Sequence, residues 1–279
     1  MTATYISILL ATGAGAGFAN GLLGIGGGFV MVPVMYSVIG AMGFPDIAMK
    51  VALGTSLLVI LPTAISGAWR HNRKRAVRWK TALVLGLCGL GGGLAGSTLA
   101  THLPERALKT GFGGLVLAIA IWMGLGMMPK LAKQRAEPKD NPRLLPALGF
   151  PVGMVSGLTG LGGGALIVPT LVLALNFPMH LAIGTSVASM ILTSLGGIIG
   201  YIVHGIEVPS LPYSIGYINL PMWLCLAGMS VPLAQLGAKT AHALPAKQLR
   251  YIFIAVMVYI GLRMMGVFSW LGPHLIPLP

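Results

Sequence analysis

Two stretches of this chain could bind a ligand through backbone alone. GLLGIGGGFVMVP at 21–33 returns as GLTGLGGGALIVP at 157–169, and across 17–33 and 153–169 nine of 17 positions are identical. Each glycine weakens a helix by about 1 kcal/mol relative to alanine, so each stretch is expected to break one. Inside a membrane the freed backbone groups need partners in protein or in a wet cavity, and a half-helix N-terminus offers N–H donors and a positive dipole end to an anion. Gly24, Gly26, Gly27 and Gly28, with their counterparts Gly160, Gly162, Gly163 and Gly164, are therefore candidate substrate-binding positions. Close helix packing in lipid is the other use of such glycines. It is the reading adopted for Gly91, Gly92, Gly93, Gly111, Gly113 and Gly114, which have no clear counterpart in the other half.

Hydroxyls recur beside the breaks. The spans that follow begin with Thr55-Ser56 and Thr185-Ser186, and hydroxyls are cheap to hold in a membrane and bind oxyanions well. Back-bonding to the preceding helical turn is the alternative role for these four. Asn20 and Ser156 occupy matching positions one residue before Gly21 and Gly157 and join the candidates, while Thr159, with Leu23 opposite it, ranks below them.

Ionisable residues inform by absence. The five acids, Asp46, Glu105, Glu137, Asp140 and Glu207, are all expected in loops. No buried carboxylate is then available as a proton relay or cation ligand, which disfavours a cation pump. An anion path needs none, and an inside-negative potential expels a monovalent anion with roughly 2.3 kcal/mol per 100 mV, so export needs no coupling ion. Arg70 and His71 end a span at its cytoplasmic edge, where an ordinary snorkelling anchor competes with an anion-gathering vestibule. No HExxH occurs, and AISG at 64–67 lacks the first Gly of GxSG, so no catalytic residue is assigned to an intramembrane enzyme. Cys88 and Cys225 lack metal or CxxC spacing and read as small core residues. No metal and no cofactor is expected.

The elements that must position these residues are membrane helices. Of 279 residues, 56% are hydrophobic and 8% charged, against roughly 25% charged in soluble domains. Apolar runs of spanning length fall at about 5–22, 51–69, 81–100, 110–128, 181–203, 215–236 and 251–270, and the N-terminal MTATYISILL lacks the basic region of a cleaved signal peptide. The net charge of +13 sits in short loop clusters without a nucleic-acid-binding pattern. Eleven of 18 basic residues lie in the loops at 70–80 and 129–143, and Lys239, Lys247 and Arg250 form a third cluster. By the positive-inside rule all three face the cytoplasm. ALGTS at 52–56 then starts a span running inward and AIGTS at 182–186 one running outward. The fold class expected is an all-α polytopic membrane protein of two inverted repeats, about five membrane segments each, with Gly-broken helical hairpins at 5–40 and 144–175. The first repeat is 1–128, the cytoplasmic linker 129–143 and the second repeat 144–279. HGIEVPSLPYSIGYINL is longer than its counterpart, so symmetry is expected to be poorest there.

NGLLGIGGGFVMVP with ALGTSLL, the GAWRHNRKRAVRW loop, and GLTGLGGGALIVP followed by AIGTS resemble the sulfite exporter TauE/SafE family, also called the toluene sulfonate uptake permease family. The resemblance covers nearly the whole chain. It implies a bacterial inner-membrane permease for small sulfur-containing or organic anions such as sulfite, sulfoacetate or related sulfonates. The partners so implied are a small anionic substrate and the lipid bilayer, with a homo-oligomer left open. An intramembrane enzyme is the rival from another class, and a non-transporting membrane scaffold is a third reading.

Overall fold

The structure, a computed structural model, describes residues 2–23, 26–124, 144–206, 211–240 and 246–267. The linker at 129–143 and Gly24 lie outside them. The described chain is all-α apart from one two-stranded hairpin. Its helices are α1 (Ala3–Leu23), α2 (Gly28–Ala41), α3 (Ala48–Arg73), α4 (Trp79–His102), α5 (Glu105–Gly124), α6 (Leu144–Thr159), α7 (Gly164–Leu175), α8 (Met179–Val203), α9 (Leu220–Thr240) and α10 (Ala246–Met264). Among the described residues, five helices are long and apolar enough to cross a membrane: α3, α4, α5, α8 and the 220–237 part of α9.

α3 and α8 form the centre, with 67% of the apolar stretch of each buried, against 33–44% for α4, α5 and α9. Small residues set the crossings around them. α1 runs along α9 so closely that a Cβ on Gly13, Gly17 or Gly237 would strike the backbone of Leu226, Ser230 or Phe18. α6 runs along α4 in the same way, with Gly149 on Leu85, Gly153 on Gly89 and Gly96 on Met154. Without a hydrophobic drive between helices in lipid, such backbone approach supplies the dispersion contacts that hold them. The packing role read for the unduplicated glycines holds for Gly92 and Gly93, which meet Phe150 and Thr193, and for Gly113, which meets Gly261; Gly111 and Gly114 face open space, and Gly91 only approaches Phe150 at 4.0 Å.

Three sequence expectations are corrected. Span 215–236 starts later, because a hairpin occupies its beginning: β1 (Ser214–Ile215) pairs antiparallel with β2 (Ile218–Asn219) around Gly216 at φ +58°. Span 110–128 starts earlier, as α5 opens at Glu105. Glu105 is consequently not a loop residue. The Met49 N–H donates to its Oε2 at 2.6 Å and the Lys50 N–H to its Oε1 at 3.3 Å. A carboxylate there satisfies orphan donors of α3 and meets the positive end of its dipole.

Candidate functional site

α1 ends at Leu23 and α2 starts at Gly28, and α6 ends at Thr159 and α7 starts at Gly164. Positive φ at Gly26 (+87°), Gly160 (+66°), Gly162 (+75°) and Gly163 (+82°) makes glycine the fitting residue there. Asn20 Oδ1 accepts the Gly26 N–H at 2.9 Å and so closes the first break. The two breaks touch backbone to backbone: a Cβ on Gly26 would meet the Leu161 carbonyl, and one on Gly28 would lie 2.5 Å from the Gly160 carbonyl oxygen. Met190 covers both, its Cε 3.3 Å from a Cβ position on Gly26 and 2.9 Å from one on Gly162. The duplicated glycines thus bring the breaks against each other, and the open space lies to one side of them.

The duplicated hydroxyls are mostly committed to backbone. Thr55 Oγ1 accepts the Asn219 N–H at 3.0 Å, and Thr185 Oγ1 accepts the Arg78 N–H at 3.1 Å. Asn219 and Arg78 immediately precede α9 and α4, so each threonine latches the start of a later helix onto the central pair. Ser56 Oγ lies 2.8 Å from both the Leu53 and the Gly160 carbonyl oxygens, tying α3 to the second break. Ser186 and Ser156 are buried with hydroxyls that have no hydrogen-bond partner. Thr55→Val is expected to lower stability by about 1–3 kcal/mol, the cost of orphaning a buried N–H. Thr185→Val should cost less, because Asn219 is 2% exposed and also caps α9 by accepting the Met222 N–H at 3.1 Å. Thermal melting of the two purified variants checks the order.

Beside the first break, α1, α3, α8 and α9 leave a small pocket. Asn20, Thr63, Arg70, His71 and Gln235 line it, with Gly21, Gly67, Val187 and Ala234 as its walls. Arg70 Nε is buried there without a hydrogen-bond partner. Gln235 Nε2 donates to Ser66 Oγ at 2.9 Å, and Thr63 Oγ1 donates to the Val59 carbonyl at 2.9 Å and lies 3.3 Å from Ser230 Oγ. A guanidinium and two amides with no carboxylate in the wall form a donor set suited to an anion. Of the substrate-binding candidates only Asn20 lines this pocket, together with Arg70 and His71, which were weighed as a vestibule; Thr63 was missed although Thr193 repeats it, and Gln235 was missed with no repeat to mark it. A second cavity, between α4, α6 and α7, is walled by Leu85, Leu148, Val152, Ile167, Leu171 and Leu175, with Gly149 and Thr170, and offers an anion almost nothing.

The model of the sulfite exporter TauE/SafE family matches residues 9–264. The chain belongs to this family. A probable membrane transporter protein of Methanocaldococcus jannaschii is 32% identical over 261 residues, covering 93% of this chain and 95% of that protein. Another, of Haemophilus influenzae, is 32% identical over 272 residues, covering 94% and 98%. The probable membrane transporter protein YunE of Bacillus subtilis is 27% identical over 280 residues, covering 94% of this chain and 98% of that protein. No solved structure matches the chain. With its apolar helices, the TauE/SafE protein is a multi-pass membrane transporter, and its relatives are named as transporters, not enzymes.

Proposed function

We propose that this transporter is an anion permease of the bacterial inner membrane, exporting small sulfur-containing or organic anions such as sulfite, sulfoacetate or related sulfonates. The observation that carries the reading is Arg70, whose buried Nε has no partner in a pocket without acids. Arg70 is half-buried, and a guanidinium with a buried N–H left unpaired favours an anion that would complete it; in a membrane such a cation points to a substrate path. We read the chain as two inverted repeats, 1–128 and 144–279, joined by a cytoplasmic linker. The crossing of α1 with α9 supports this, because it repeats contact by contact in the crossing of α6 with α4.

Charge-selective flux tests the function. In proteoliposomes on a solid-supported membrane, sulfite and sulfoacetate should give currents and an uncharged analogue of sulfoacetate none. Equal handling of the neutral analogue, or no anion current, sinks it. The topology has its own test: single cysteines at Lys74 and Lys139 should resist an impermeant maleimide in intact cells and react once the membrane is opened. Rapid labelling from outside would reverse the orientation.

A further inference from the structure

The pocket has a mirror surface that is shut. Matching the two halves through their repeated motifs sets Asn20 against Ser156, Gly21 against Gly157, Thr63 against Thr193, Gly67 against Gly197, Arg70 against Gly200 and His71 against Tyr201. On the first side, a Cβ on Gly67 would meet only Val187, at 3.1 Å, and a small pocket remains between the helices. On the second side the corresponding elements are in contact. A Cβ on Gly197 would lie 2.5 Å from Leu57 Cδ1 and 3.7 Å from the Gly157 Cα. One on Gly93 would lie 2.6 Å from the Thr193 carbonyl oxygen, and one on Gly200 2.9 Å from Ser97 Cβ. Tyr201, fully buried, spans the seam and donates its hydroxyl to the Gly157 carbonyl at 3.0 Å.

We propose that this seam, between α8 and the α4–α6 pair, is the closed extracytoplasmic half of the transport path and that Tyr201 is its gate. The proposal rests on the transport reading and the inverted pairing above. Two features single the seam out from ordinary packing. Ser156 and Ser194 bury hydroxyls, at 1% and 0% exposure, that find no partner, a state water in an opened seam would relieve. The α8 contacts with α4 and α6 named above otherwise run through Gly93, Ser97, Gly157, Gly197 and Gly200, so Tyr201 is the large side chain that must release as α8 parts from them. In inverted-repeat transporters such an exchange of open sides is the transport motion. The outer half is chemically weaker, since the counterpart of Arg70 is Gly200. Hydroxyls face the anion there and no guanidinium does, so the substrate is held more tightly from the cytoplasmic side.

Cysteine accessibility tests this in a background with Cys88 and Cys225 replaced by alanine. Sulfoacetate serves as the probe, because it does not consume maleimide. Ser156→Cys should react slowly with an impermeant maleimide applied outside, and Tyr201→Phe, which removes only the hydroxyl, should speed it at least 10-fold. Thr63→Cys should react from the cytoplasmic side, be protected by sulfoacetate, and slow when Tyr201→Phe is added. Should Tyr201→Phe fold poorly, sulfoacetate supplied inside to the Ser156→Cys protein must itself accelerate outside labelling. Unchanged labelling of Ser156→Cys by both treatments, with Thr63→Cys still protected, overturns the gate and leaves the anion site standing. Loss of the protection at Thr63→Cys overturns the site on which the gate depends.

Discussion

Arg70→Ala is expected to raise the concentration of anion needed for half-maximal current by about 10- to 100-fold while leaving the melting temperature unchanged or slightly higher. A hydrogen bond to a charged partner contributes roughly 1.5–3 kcal/mol, and about 1.4 kcal/mol is tenfold in affinity. Loss of even one or two guanidinium bonds gives a change of that order. Stability should not follow, because Arg70 Nε completes no bond within the fold and its removal strands no buried partner. Arg70→Lys should restore only part of the affinity, since a lysine keeps the charge and loses the planar fork. Gln235→Ala should matter less, as that amide is already given to Ser66. Currents on supported membranes, with scanning fluorimetry on the same preparations, separate the cases. A variant that melts early yet transports normally per folded molecule would make Arg70 a structural anchor.

What the sequence makes legible here is whatever is duplicated. The glycine breaks, the Thr-Ser pairs and most spans can be read by comparing one half with the other, because repetition marks the constraint. Repetition does not say what the constraint is. Thr55 and Thr185 recur because each half has a helix start to latch, at Asn219 and Arg78, and a hydroxyl serves that bond as well as it would an oxyanion. The pocket was illegible for the opposite reason. Asn20 and Arg70 come from the first half and Gln235 from the second, so no local spacing joins them, and their counterparts Ser156 and Gly200 share none of their chemistry. Arg70 alone reads as a snorkelling anchor; only the approach of α9 turns its position into a pocket wall. The hairpin at 214–219 was hidden because its apolar residues run straight into those of α9. Glu105 was hidden because the donors it caps lie more than fifty residues earlier in the chain.

Gly160→Ala should be among the most destabilising alanine substitutions in the protein, and comparison with Gly43→Ala and Gly15→Ala shows why. Gly15 has no atom within 4 Å of a Cβ position and lies inside α1, so alanine there should be neutral or gain up to about 1 kcal/mol of helix propensity. Gly43 is equally open but sits at φ +92°, so its alanine variant should lose only the left-handed penalty of about 1–2 kcal/mol. Gly160 combines φ +66° with a Cβ position 2.5 Å from Ser56 Oγ and 2.9 Å from the Leu53 carbonyl oxygen. Both neighbours belong to α3, one of the two central helices, and Ser56 Oγ is 2.8 Å from the Gly160 carbonyl. The methyl can be admitted only by moving the second break off α3, which adds an overpacking cost of about 1–3 kcal/mol to the conformational one. Roughly 2–5 kcal/mol in total is expected, with lower yield of folded protein and a melting temperature well below that of Gly43→Ala. Melting curves of the three variants in one detergent decide the matter. If Gly160→Ala melts with Gly43→Ala, the break does not bear on α3 as tightly as its geometry requires, and the glycines there serve backbone conformation alone.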